Sequence, residues 1–148
     1  MRHMAIDKSG QWCIGEAVDL DEYVTGFAET YGTPVQRVVH ASCATCSSNT
    51  FRVRVDDEQG FAERTCVNCS AVSAMFDSAD VADDANPEGA ACPCGNETFQ
   101  VSGGFSLWES GEVRWVFAAL RCAKDGVLGV YADWKIDYEP STQLFGHV

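Results

Sequence analysis

Cys43-Ala-Thr-Cys46 and Cys66-Val-Asn-Cys69 place four thiols in two tight turns. A Cys-x-x-Cys turn aims two thiolates at one ion, and two such turns facing each other complete the tetrahedron that Zn2+ takes with soft or borderline donors. The spacing therefore predicts a zinc site made by Cys43, Cys46, Cys66 and Cys69. A second set follows: Cys92-Pro-Cys94, one residue shorter, and Cys122-Ala-Lys-Asp125, with Asp125 where the first set has Cys69. A carboxylate oxygen also ligates zinc, so Cys92, Cys94, Cys122 and Asp125 form a candidate second site, either metal-bound or degenerate. Should Asp125 fall short of the ion, water would take the fourth position, which is the precondition for zinc catalysis.

Other reactive chemistry is sparse. No His-x-Glu precedes a Pro-Cys-x-x-Cys, no glycine-rich phosphate loop opens a helix, and the three histidines suggest no Ser-His-Asp set. An enzyme would have to work at the second cluster, with Asp125 as ligand or water-orienting base and Glu97 or Asp133 nearby in sequence. His40 precedes Cys43 by three residues, but four cysteines already fill the tetrahedron, so it is expected to support the site from outside or to be structural. Cys13 has no partner at ligand spacing and reads as a small core residue, or as a resolving thiol if the clusters were redox sensors.

Composition narrows the class. Eight cysteines, behind an opening Met1-Arg2-His3-Met4-Ala5 too polar for a signal peptide, suit a reducing compartment and a cytoplasmic location. No run of about eighteen apolar residues exists, so no membrane span is expected. The formal charge is −12, from 22 acidic and 10 basic residues. Phosphate binding draws its affinity from Lys and Arg, so this balance opposes nucleic acid as partner. Arg52, Arg54, Arg64, Arg114 and Arg121 are the residues that would have to reverse that conclusion, the first three read here as solvent-facing strand positions.

The elements that position these groups are mostly strands. Phe51, Val53 and Val55 alternate with Arg52, Arg54 and Asp56, and Asp57-Glu58-Gln59-Gly60 turns the chain back through Phe61 to Thr65. Strands are also expected over 35–41 and 71–76. Ahead of them, Leu20, Tyr23, Val24, Phe27 and Tyr31 make one helical stripe over 19–31, with Asp19 and Glu22 as a capping box, Gly32 as C-terminal cap and Pro34 beyond. Residues 77–89 are small and acidic and read as a solvated linker.

Beyond the linker the pattern repeats. Cys46 to Val53 matches Cys94 to Val101, with a phenylalanine five residues after the cysteine in both, and Arg64 to Cys69 matches Leu120 to Asp125. The second hairpin spans 99–108 and 112–121, and its return strand is apolar on nearly both faces, which predicts a central position. Strand character resumes at Val127, aromatic residues crowd this half, and the end of the chain reads as a frayed tail with Leu144 and Phe145 as anchors.

On these residues the first half resembles a rubredoxin-like zinc ribbon, carried by Cys43, Cys46, Cys66 and Cys69, and the second half resembles the same fold through Cys92, Cys94 and Cys122. The resemblance implies a scaffold and no particular activity. The expected architecture is mostly β: two small antiparallel zinc-ribbon-like units with one N-terminal α-helix packed on them. The expected divisions are an N-terminal segment (1–34), ribbon 1 (35–76), acidic linker (77–91), unit 2 (92–140) and tail (141–148). The expected function is a non-catalytic zinc-binding module for a protein partner, a basic face on that partner being favoured electrostatically, with nucleic-acid association or a zinc enzyme or thiol sensor as alternatives.

Overall fold

Alternation of apolar and charged side chains, as in Phe51-Arg52-Val53-Arg54, favours strands in this chain. The computed structural model describes residues 6–148, so the reading of Met1-Arg2-His3-Met4-Ala5 lies outside the described residues. Eight strands form one antiparallel sheet: β1 (Arg37–His40), β2 (Phe51–Asp56), β3 (Phe61–Cys66), β4 (Val72–Ala74), β5 (Glu88–Gly89), β6 (Phe99–Leu107), β7 (Val113–Cys122) and β8 (Leu128–Lys135). The main path runs β4-β3-β2-β6-β7-β8, with β1 added to β6 and β5 to β2. The fold is thus mostly β with one helix, as the patterning predicts.

The two hairpins sit in matching register. Phe51 pairs with Cys66 in the first, Phe99 pairs with Cys122 in the second, and Phe51 pairs with Phe99 where the hairpins meet. Both rings are fully buried. A single core spans the seam, drawing Phe51, Val53 and Phe76 from one side and Phe99, Val101 and Leu120 from the other. Burying each large side chain stabilises the fold by roughly 1.5–3 kcal/mol.

One strand departs from expectation in its partner. β1 leads directly into the first cysteine turn, yet it pairs along its whole length with β6 of the second hairpin. The reason is that β1 has two apolar faces to cover: Val39 packs on the main core, and Val38 on the second cluster under the helix.

The helix α1 (Leu20–Thr30) lies over β6, β7 and β8. Its buried line is Leu20, Val24 and Ala28, with Tyr23 and Phe27 at the rim, and these meet Phe117, Ala119 and Leu128 of the sheet. Tyr31, expected on the stripe, is 69% exposed because the helix has already ended. That end is a Schellman turn: Gly32 N donates to Glu29 O, Thr33 N donates to Ala28 O, and Gly32 takes the left-handed φ of 71° that only glycine adopts cheaply. The capping box also differs. It closes between Glu16 and Asp19 around a preceding 3-10 turn (Ala17–Asp19), with Glu16 N donating to Asp19 Oδ2 at 2.7 Å, and does not involve Glu22.

Strand β7 is central, as its two apolar faces predict: Phe117 and Ala119 face the helix, while Val116, Ala118 and Leu120 face the main core. Its neighbour β6 is also covered on both sides, and there two consecutive glycines make room. A Cβ on Gly104 would lie 2.9 Å from Val24 Cγ2 under the helix; one on Gly103 would lie 2.7 Å from Val148 Cγ2 on the opposite face.

The residues expected to be loose are held. Ser78 is buried and its Oγ accepts from Ala62 N, while β5 adds two residues to the edge of β2. Asp77 accepts from Trp134 Nε1 (3.0 Å) and Tyr138 OH (2.8 Å), fastening the start of the acidic stretch to β8 and the residues after it. The end of the chain does not fray. Ser141, Leu144 and Val148 are buried, Phe145 stacks edge-on against Phe105, and Phe76 N donates to His147 O.

Two glycine substitutions test this packing in opposite directions. Gly103→Ala should lower stability by about 1–3 kcal/mol, because Val148 and Phe76 would have to move. Gly26→Ala, mid-helix with nothing within 4 Å of the added methyl, should raise it by about 0.5–1 kcal/mol. Urea unfolding of the metal-loaded chain measures both, and an unchanged midpoint for Gly103→Ala would contradict the two-sided cover of β6.

Candidate metal centres

Each cysteine pair is set by a tight turn whose backbone closes on itself. In the first, Cys43 N donates to Ser48 O and Ser47 N to Cys43 O, both at 2.8 Å; in the second, Cys66 N donates to Ala71 O and Ser70 N to Cys66 O, both at 2.9 Å. Ser47 and Ser70, directly after the second cysteine of their turns, take left-handed φ angles of 66°. A non-glycine residue in that region is uncommon and costs energy, so the turn is held by what surrounds it.

The turn ending at Asp125 is the same turn. Cys122 N donates to Val127 O (2.9 Å), Gly126 N to Cys122 O (3.0 Å), and Gly126 takes φ 79°. Asp125 therefore stands at the backbone position that Cys46 and Cys69 occupy in theirs. The Cys92-Pro93-Cys94 turn is a one-residue-tighter version: Cys92 N donates to Asn96 O and Gly95 N to Cys92 O, both at 2.8 Å, with Gly95 at φ 94°.

The facing turns bring every predicted ligand together. Cys43, Cys46, Cys66 and Cys69 form one cluster and Cys92, Cys94, Cys122 and Asp125 another, each with its donor atoms within 4.8 Å of one another. Cys43 and Cys69 sulfurs lie 3.5 Å apart, as do those of Cys46 and Cys66. In the second cluster Cys94 and Cys122 sulfurs are 3.7 Å apart, and Cys92 Sγ lies 3.5 Å from Asp125 Oδ1. Both clusters could hold a metal ion. Each has two buried cysteines, Cys43 and Cys66 or Cys92 and Cys122, and reaches solvent through Cys69 or through Cys94 and Asp125.

Electrostatics agree with that use. The backbone N–H of Cys69, aided by that of Asn68, brings the Cys66 thiol down to about 6. Cys69 goes the other way, to about 12: the Ala71 amide favours its thiolate, but the neighbouring sulfurs, Cys43 first, keep the proton on. In the second cluster burial, joined by Cys94, Cys122 and Asp125, pushes Cys92 up to about 12. The Asp125 carboxylate is held below its ordinary range, chiefly by hydrogen bonding with Cys122. Negative groups crowded in this way keep protons that a cation would displace. Cys122 Sγ also accepts from Asn96 Nδ2 (3.3 Å) and Lys124 N (3.4 Å), contacts of the kind that orient a metal-bound thiolate.

Arg64, read from the sequence as a solvent-facing strand position, is not one. It is buried at 6% exposure, its guanidinium lies 4.5 Å over the Phe51 ring, and it donates twice to Val148 O, at 3.0 and 2.8 Å. Burial disfavours its charge, whereas the nearby thiols of Cys43 and Cys66 favour it. A cation thus sits permanently beside the first cluster. Nothing in the local pattern distinguishes Arg64 from the exposed Arg52 and Arg54.

The remaining candidates fall elsewhere. His40 Nε2 donates to Asp21 Oδ1 (2.6 Å) and its Nδ1 accepts from Ser102 Oγ (2.9 Å), so it ties α1 to the sheet and touches no cluster residue. These are the residue types of a hydrolase triad, but Ser102 is fully buried and no substrate reaches it. Asp133 accepts from Trp115 Nε1 (2.8 Å), and exposed Glu97 lines a cleft with Arg52 and Arg54. Neither joins Asp125 in an acid-base set. Cys13 packs at the edge of the helix cluster, as a small core residue. Among the described residues no helix is long and apolar enough to cross a membrane. The chain matches no protein-family model, no curated protein and no solved structure.

Metal stoichiometry and release separate the two clusters. Reconstituted with Zn2+, the chain should carry two ions by native mass spectrometry and elemental analysis, falling to one in Asp125→Ala. A chelator should remove the ion at the aspartate cluster first, since a carboxylate binds zinc less strongly than a thiolate, and Asp125→Cys should slow that phase. Two ions retained by Asp125→Ala with unchanged release would show that the carboxylate is not a donor.

Proposed function

We propose that this chain is a non-catalytic zinc protein: two zinc-ribbon-like units fused into one body that serves as an interaction or regulatory module for a protein partner. The observation that carries the reading is that each cluster offers four protein donors from two facing turns, which leaves no coordination position for a substrate. Three or four thiolates in such a set favour zinc over hard, oxygen-preferring cations, and Asp125 remains within zinc's ligand range. In this reading the units span 35–76 and 92–140, with β1 lent by the first to the sheet of the second. Eight free cysteines fit a reducing compartment such as the cytoplasm.

The alternatives find less support. Of the five arginines that nucleic-acid binding would need, Arg54 pairs with Glu63 (2.8 Å), Arg64 is buried, Arg114 lies 4.9 Å over the Trp108 ring, and Arg121 donates to Gly15 O and Gln100 Oε1. Of these five, Arg52 alone is exposed without such an engagement, on a chain of charge −12. A zinc enzyme would need an acid or base working with Asp125; Asp133 is instead engaged by Trp115 Nε1, and Glu97 lines a cleft with Arg52 and Arg54.

Affinity capture with the zinc-loaded chain at physiological salt should recover one protein saturably and in fixed ratio, and the chain should pass through immobilised DNA and RNA even at low salt. Salt-sensitive retention on nucleic acid, or no stoichiometric protein partner, would overturn the reading.

A further inference from the structure

Two clefts meet beside β8. The first, of about 430 Å3, runs between α1 and β8 and is walled by Trp12, Tyr23, Phe27, Pro93 and Tyr131. The second, of about 530 Å3, shares Ala91 and Tyr131 with it and continues to Asp56, Asp57, Glu58 and Glu88. Together they form one open groove, apolar at one end and acidic at the other.

The two ends have separate chemistry. At the apolar end Trp12 is 46% exposed and Tyr23, Phe27 and Tyr131 are half-buried, so four rings keep a solvent-facing edge. Such part-exposed aromatics gain most when an apolar side chain covers them. At the acidic end the carboxylates are held in place: Asp56 accepts from Gln59 N (3.3 Å) and Asn86 N (2.8 Å), and Asp57 accepts from Asp133 N (2.9 Å). Glu58 and Glu88 are exposed beside them. Among the described residues no Lys or Arg lines either cleft, so an occupant that balances the carboxylates brings the cations. Pro93 and Val127 of the lining belong to the turns of the aspartate cluster, so that cluster also fixes the groove's wall.

We propose that this groove docks a basic peptide segment of a partner protein, one aliphatic or aromatic side chain seated among Trp12, Tyr23 and Tyr131 and Lys or Arg side chains laid over Asp57, Glu58 and Glu88. The proposal rests on the interaction reading above and specifies its surface. The length of the groove and its split character fit an extended segment better than a single small ligand, and its sign excludes a nucleic acid.

The test uses the zinc-loaded full chain against a displayed library of random dodecapeptides. Enriched peptides should carry two or more Lys or Arg beside an apolar residue, and their affinity should fall as salt rises. Trp12→Ser, and separately Glu58→Lys with Glu88→Lys, should each weaken binding roughly tenfold or more, while Trp108→Ser on another face should leave it unchanged. All of these positions are exposed, and circular dichroism checks that the variants fold. Neutral or acidic consensus peptides, no enrichment, or binding indifferent to both groove variants would overturn the proposal. A stoichiometric partner protein that ignores both groove variants would remove the groove and leave the interaction role standing; absence of any partner would remove the role itself.

Discussion

Thiols crowded into one cluster can ionise together only with a cation among them, and the fold gathers such a cluster twice. Each cluster is spanned by two turns at the base of a hairpin, so an ion held there would also pin strand ends together. The pairings of Phe51 with Cys66 and of Phe99 with Cys122 carry this constraint straight into the core. In the first cluster the buried guanidinium of Arg64 adds a fixed positive charge beside the thiols. The negative groups of the second cluster are felt at Tyr131, whose hydroxyl burial first and then Cys92, Cys122 and Asp125 push up to about 12.

Metal alone would leave two small units joined by a tether. The structure is instead knit across the seam by contacts of several kinds. β1 pairs with β6, the Asp77 carboxylate holds Trp134 and Tyr138, Gly60 lies against the Trp134 ring, and Phe76 stacks edge-on against both Phe105 and Trp134. Polar and apolar links alternate along this seam. The helix then closes the far face of β6 to β8, which gives the second hairpin a cover on both sides and the first only one.

What was legible in the sequence was what is local. Ligand spacing, the Asp57–Gly60 turn, the central place of β7 and the cap at Gly32 each depend on residues a few positions apart, where side-chain type dictates geometry. Long-range choices were not legible. The Arg-Val-Val-His run of β1 carries no record of which strand it will join, and Arg64 differs from Arg52 through a ring and a carbonyl that folding brings to it. His40 lay beside the first cysteine in sequence and was read against it; its partners Asp21 and Ser102 come from the helix and a distant strand. The final residues looked loose because their buried positions, Ser141, Leu144 and Val148, follow no strand or helix period.

The pairing of Phe51 with Phe99 has a geometric consequence of its own. Corresponding residues of two similar units that pair antiparallel with each other mark a local two-fold axis, the arrangement of an isologous dimer interface, here held within one polypeptide. Identical subunits must change together, since one gene writes both faces. Two halves of one chain are free of that requirement. One half carries four cysteines and a buried arginine; the other has Asp125 at the position of a fourth cysteine and lies under the helix. The two halves therefore differ where a symmetric dimer would have to repeat itself.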